Sequence, residues 1–185
     1  MDTRKTRTWA EVSLGALRHN VEEMQRALPD GCGLLGVVKA DAYGHGASEI
    51  AAALRECGCR YLAVACPQEA LALRQAGETM PILILGAVDA AFASDMAAND
   101  ITLSVECAEK GRALSAALRG GKRLRIHLKL DTGMGRLGFR VQDETALREA
   151  AAVAQLPNLD AEGVFTHFSV SDTPGEEEYT AAQLA

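Results

Sequence analysis

Val37-Val38-Lys39-Ala40-Asp41-Ala42-Tyr43-Gly44-His45-Gly46-Ala47 is the stretch that decides how this chain is read. A short apolar run, Leu34 to Val38, delivers one lysine to its end. A polar, glycine-punctuated turn follows at once, and then a helical pattern begins. This is how a strand hands a reactive amine to the mouth of an α/β fold. To attack a carbonyl, a lysine amine must first lose its proton, which burial or a neighbouring positive charge favours in general. A lysine after an apolar strand is, taken alone, more often a solvated strand end. The residues around it shift the balance. Tyr43 lies four positions on, where a phenol can reach a phosphate, and Gly44 and Gly46 permit positive φ or close backbone approach. Lys39 is therefore read as the covalent anchor of a carbonyl cofactor.

Working outward, the chain alternates strands and helices. Strands are expected over Leu34–Val38, Tyr61–Ala65, Ile82–Leu85, Ile101–Val105, Leu124–Leu130 and Ala161–His167, all buried-looking. Helices are expected over Ser48–Cys57, Pro67–Ala76, Asp89–Asn99, Ala108–Leu118, Glu144–Gln155 and from Glu177 onward, punctuated by Gly58, Gly77, Gly120-Gly121 and Pro157. Ahead of them, Trp9–Leu14 alternates like a half-buried strand. A helix with Leu17, Val21, Met24 and Leu28 on one stripe follows it, ending at Pro29-Asp30-Gly31. Such regular alternation implies parallel strands and right-handed crossovers. No Gly-x-Gly-x-x-Gly follows the first strand, which argues against a dinucleotide fold. Polar residues at the ends of several strands suit the mouth of a (β/α)₈ barrel. About six βα units are found where a barrel needs eight, so an incomplete α/β barrel of the TIM type is expected.

The bulk composition fits an ordinary globular chain of 185 residues, 48% hydrophobic and 24% charged. A net charge of −6 and only 4% aromatic residues give nucleic acid or an anionic membrane nothing to hold. No apolar run approaches the ~20 residues needed to cross a bilayer. The charged N-terminus has no apolar segment behind it, so no signal peptide is read and a cytoplasmic location is expected. Five cysteines, an odd number, then point to reduced thiols. Cys57-Gly58-Cys59 is too tight for the usual zinc spacing, and small buried thiols are the expectation rather than a metal site.

Two further stretches carry chemistry. In Leu128-Lys129-Leu130-Asp131-Thr132-Gly133-Met134-Gly135-Arg136-Leu137-Gly138-Phe139, Lys129 ends the fifth strand and shares a strand face with His127 just before the stretch. If that face points inward, the charge of Lys129 must be paired or neutralised. Arg136 is a natural fork for a carboxylate or phenolate, with a surface arginine in a flexible loop weighed about evenly against it. His167, closing the sixth strand, could stack on a flat cofactor or be a satisfied core histidine. His19 and His45 are read as structural.

Val37 to Gly46 resembles the pyridoxal-phosphate attachment signature of alanine racemases. Lys129–Gly138, Thr166-His167-Phe168 and Trp9-Ala10-Glu11-Val12 resemble the same family in the same order and spacing. The resemblance covers nearly the whole chain. It implies a (β/α)₈ barrel with a mainly β C-terminal domain, working as a homodimer in the cytoplasm on the small molecule alanine, to supply D-alanine for peptidoglycan. It implies that Lys39 holds pyridoxal 5′-phosphate and serves as one catalytic base. Tyr43 would bind the phosphate, Leu85 would pack near the cofactor, and His167 would contact its ring. Arg136 would serve both the phenolic oxygen and the substrate carboxylate, and Lys129 would match a lysine often carbamylated in the family.

The second acid/base of that family is a tyrosine from the C-terminal domain, which these residues do not include. The expectation is therefore a partial barrel over 15–185, inactive or nearly so alone. Residues 1–14 would form a strand segment that pairs with the absent domain. The first and sixth strands would be open edges, which predicts poor solubility. A non-catalytic pyridoxal-phosphate-binding barrel of the homeostasis type is the alternative, together with a serine racemase or amino-acid decarboxylase of the same fold type.

Overall fold

The computed structural model describes residues 8–118 and 121–185. Their contacts divide into two compact units, one ending at Ile82 and the other beginning at Leu83. The strand ladders within each unit are parallel.

The first unit runs α1 (Leu14–Ala27), β1 (Leu35–Val37), a short helical segment α2 (Lys39–Gly44), α3 (Ala47–Glu56), β2 (Tyr61–Val64) and α4 (Pro67–Gln75). Helix α1 starts where the Ser13 hydroxyl accepts from the Ala16 N–H at 3.2 Å, a serine cap that ends the extended chain before it. The strand expected over Trp9–Leu14 is accordingly not found. Residues 8–13 carry no ladder, Leu14 is already helical, and Trp9 stands 64% exposed. Alternation alone does not make a strand without a neighbouring backbone to pair with. The first seven residues of the expected 1–14 segment lie outside the described residues. Strands β1 and β2 pair from Leu35↔Tyr61 to Val37↔Ala63. Leu62, Ala63 and Val64 are buried, whereas Leu35 and Val37 are exposed, so β1 does not share the burial expected of every strand.

Strand β3 (Ile82–Ile84) spans the point in sequence where one unit gives way to the other. The second unit continues with a 3₁₀ turn (Ala90–Phe92) running into α5 (Ala93–Ala98), then β4 (Ile101–Val105), α6 (Ala108–Ala117), β5 (Leu124–Asp131), β6 (Phe139–Arg140), α7 (Glu144–Ala154), β7 (Leu159–Phe165) and α8 (Glu177–Leu184). The Asp89 carboxylate accepts from Ala91 N–H at 2.8 Å and tightens the start of the helix expected over 89–99. Strand β5 is the centre of this unit. It pairs with β4 through Leu103↔Ile126, with β7 through Leu124↔Leu159, and with β6 through Leu130↔Phe139. A bulge at Ile126/His127 interrupts the β5–β7 ladder. The six expected strands are all present, and the two-residue β6 is additional. Strand β7 begins and ends two residues earlier than the apolar pattern suggests. Asn158, at φ +66, turns the chain into it, and its carbonyl accepts from Leu124 N–H at 2.9 Å. Leu103, Leu114, Leu124, Ile126 and Leu159 are fully buried here. Each such side chain contributes about 1.5–3 kcal/mol.

Candidate active site

In the first unit, Val38 is buried and its N–H donates to Ala63 O at 2.8 Å, which extends the β1–β2 ladder to the residue before Lys39. The chain then does something its composition does not announce. Ala40, Asp41, Ala42 and Tyr43 all adopt left-handed backbone geometry, with φ between 50 and 56 and ψ between 37 and 49. Each L-residue so placed costs about 1–2 kcal/mol, and such residues normally occur singly. Several contacts hold the run. Ala42 N–H donates to Val38 O at 3.0 Å, Gly46 N–H to Asp41 O at 3.0 Å, and Ala47 N–H to Asp41 Oδ1 at 2.7 Å. His45 Nδ1 lies 2.8 Å from Ala42 O, consistent with its structural reading. Ala40 N–H donates to Glu69 Oε1 at 2.8 Å. The winding leaves Lys39 half-buried and Tyr43 62% exposed, with the lysine Nζ 5.9 Å from the centre of the tyrosine ring. Strained backbone of this kind collects at functional sites.

In the second unit, Lys129 is only 3% exposed. Its Nζ donates to Leu130 O at 2.7 Å and lies 5.6 Å from the Phe165 ring. Burial pushes its pKa down from the ordinary lysine value, Arg136 pushes the same way, and Asp131 opposes both. The Asp131 carboxylate accepts from Gly135 N–H at 2.9 Å and Gly133 N–H at 3.1 Å, and these bonds, Gly135 first, hold its pKa below the ordinary value. The pinned loop presents Arg136 on its exposed side. Gly138, at φ +122, closes the loop where a Cβ would meet Lys129 O at 2.8 Å, so no other residue fits. His127 shares the Lys129 face, and burial lowers its pKa, partly offset by Glu162 at 3.5 Å.

His167 does not close a strand. It lies two residues past the end of β7, exposed, and its carbonyl accepts from Gln183 Nε2 at 3.3 Å. Leu85 is half-buried one residue past β3, and its carbonyl accepts from Ser104 Oγ at 3.2 Å. Lys39 and Tyr43 thus come together within the first unit, and Lys129 and Arg136 within the second. Cys57 is half-buried and Cys59 buried.

Three residues that organise these loops escaped the sequence reading. Asp131 was legible as an aspartate ahead of glycines, a turn-forming pattern. Glu69 stands at the third position of α4, a spacing that signals capping. Gln183 had no signal. It sits in α8, buried, and links Thr132 Oγ1, His167 O and Ser169.

The family model "Alanine racemase, N-terminal domain" matches residues 12–185. The chain is 41% identical over 177 residues to the alanine racemase of Desulforamulus reducens, a match covering 95% of this chain and 47% of that protein. Among solved structures, alanine racemase of Clostridium difficile 630 in complex with cycloserine superposes with a TM-score of 0.92 at 38% identity, over 97% of this chain and 49% of that one. The histidine racemase of Leuconostoc mesenteroides superposes with a TM-score of 0.82 at 31% identity, over 94% of this chain and 46% of that one. The chain spans about half the length of the relatives it matches. These likenesses bear out the expected α/β barrel-type N-terminal region, and a match running from residue 12 to the last residue shows that the chain belongs to the alanine racemase family, through that family's N-terminal domain.

Proposed function

We propose that this chain is the cofactor-binding part of a pyridoxal-phosphate-dependent racemase that interconverts L- and D-alanine. The observation that carries the reading is Lys39, which follows β1 and immediately precedes a left-handed run that sets the Tyr43 ring beside its amine. The donor set suits the cofactor: a primary amine for an aldehyde, and an exposed phenol hydroxyl to donate to phosphate oxygens.

When bound, pyridoxal phosphate supplies the electron sink that takes up the pair left as the substrate Cα proton departs. Lys39 would hold the cofactor through its amine, the one nucleophile at the end of β1. On one face of the substrate that amine would take the Cα proton as the free base and return it as the ammonium. Arg136 receives the substrate carboxylate, a role suited to a guanidinium on a loop that Asp131 holds rigid. By the resemblance, His167 and Leu85 would contribute to holding the cofactor. Lys129, buried and with its ammonium form disfavoured, can bond through nitrogen to carbon dioxide and lose a proton. The resulting carbamate anion would orient Arg136. The whole protein acts as a homodimer in the cytoplasm and provides D-alanine for cell-wall precursors. Among the described residues no helix is long and apolar enough to cross a membrane.

Adding pyridoxal phosphate should produce a visible absorbance band that Lys39→Ala abolishes, and borohydride should bleach that band while fixing the cofactor on Lys39. No adduct at Lys39 would sink the reading. The histidine racemase of the same fold makes substrate choice a separate question. It is settled by comparing racemisation of alanine, serine and histidine, with a faster reaction on either alternative overturning the alanine assignment.

A further inference from the structure

Glu69 is the third residue of α4, behind Cys66 and Pro67. A carboxylate there ordinarily folds back onto the capping residue of its own helix. This one reaches outward instead. Its Oε1 accepts from Ala40 N–H at 2.8 Å and its Oε2 from Ala65 N–H at 2.7 Å. Ala40 follows Lys39 and is the first residue of the left-handed run, and Ala65 is the first residue past β2. Both N–H groups lie beyond the last rung of the β1–β2 ladder, where each needs an acceptor from elsewhere. One half-buried carboxylate supplies both through charge-assisted bonds, and ties the two strand ends together at the point where the lysine leaves the sheet.

Resting on the reading of Lys39 as the covalent anchor, we propose that Glu69 is its positioning residue. By fixing Ala40 N–H, Glu69 sets where the left-handed run begins and so where the Lys39 amine is held. It touches neither cofactor nor substrate; it acts through the backbone of the next residue. Glu69→Gln keeps one acceptor but turns an NH₂ group toward the other N–H, so it separates the bridge from mere bulk. Glu109, in the first turn of α6, provides a control for losing a helix-start carboxylate without a bridge.

The test is the rate at which pyridoxal phosphate modifies each lysine of the full chain, trapped with borohydride and mapped by mass spectrometry, together with hydrogen exchange at the Ala40 and Ala65 amides. The expected result is a Lys39 rate reduced about tenfold in Glu69→Ala and a few-fold in Glu69→Gln, and unchanged in Glu109→Gln. Modification of buried Lys129 should stay constant, and the two amides should exchange faster only in the Glu69 variants. Glu69→Gln that is folded by circular dichroism and modifies Lys39 at the parent rate overturns the proposal. So does a parallel rise at Lys129 and Lys39, which would mean general loosening. If the unaltered protein does not favour Lys39, the cofactor reading falls instead. The exchange data then still decide whether Glu69 holds the two amides, and equal exchange in parent and Glu69→Gln rejects the bridge.

Discussion

Replacing Ala40 with glycine should make the protein more stable, although the same change in an ordinary helix weakens it. Ala40 sits at φ 50, ψ 49, and its methyl group is exposed, so no packing is lost with it. Relief of the left-handed strain is worth about 1–2 kcal/mol. The freer unfolded chain returns about 0.4–1 kcal/mol, leaving roughly 0.8 kcal/mol in favour of glycine. The bond from its N–H to Glu69 is untouched, because glycine keeps that donor. Ala52 in α3 is the matched control, half-buried in the same unit, and Ala52→Gly should cost about 1 kcal/mol. Urea titration reads both. With a slope of about 2 kcal/mol per molar, the midpoint rises by roughly 0.4 M for Ala40→Gly and falls by roughly 0.5 M for Ala52→Gly. Slopes should match the parent. If both substitutions lower the midpoint equally, Ala40 is not left-handed in the folded protein and the account of the turn is wrong.

Lys129→Met should raise the melting temperature at pH 7 and flatten its dependence on alkaline pH. The folded-state pKa is depressed below the usual 10.5, so the unfolded chain binds more protons in that window and the parent gains stability as pH rises through it. A parent whose melting temperature falls steadily from pH 8 to 10 relative to Lys129→Met would contradict the sign. Asp131→Ala frees two glycine N–H groups and should lower stability by about 1–3 kcal/mol at neutral pH. The parent should lose this same increment as pH falls through the depressed folded pKa of Asp131, below 3.8, so the difference between the two vanishes in acid. Gln183→Ala should cost about 1–3 kcal/mol and speed amide exchange at Ser169, whose N–H donates to Gln183 Oε1 at 3.0 Å; unchanged exchange there would remove Gln183 from the loop.

The sheet was legible because its signal is local. Ile101–Val105 and Leu124–Leu130 both alternate apolar with polar residues, Thr102 and Ser104 in the first and Arg125, His127 and Lys129 in the second. Trp9–Leu14 shows where such reasoning stops: the alternation is there, but pairing depends on a partner strand, and Ser13 prefers to cap. The site divides in the same way. Lys39, Tyr43, Lys129 and Arg136 could be named from their neighbours in sequence. Their supports could not, because Glu69 and Gln183 act across 29 and 51 positions on Ala40 and Thr132. Nor could the reversed hand of Ala40–Tyr43, since alanine and tyrosine give no hint of positive φ and only Asp41 tolerates it readily.

That reversal has a stereochemical side. Residues 40 to 43 follow, in L-amino acids, the winding that a chain of D-amino acids takes without strain. The segment is a few residues of mirror-image helix inserted between a strand and a right-handed helix. D-alanine built into position 40 by chemical ligation would sit there more comfortably than the residue the ribosome supplies. Chirality itself keeps the turn loaded, and the surrounding hydrogen bonds are what stop it from unwinding into its opposite hand.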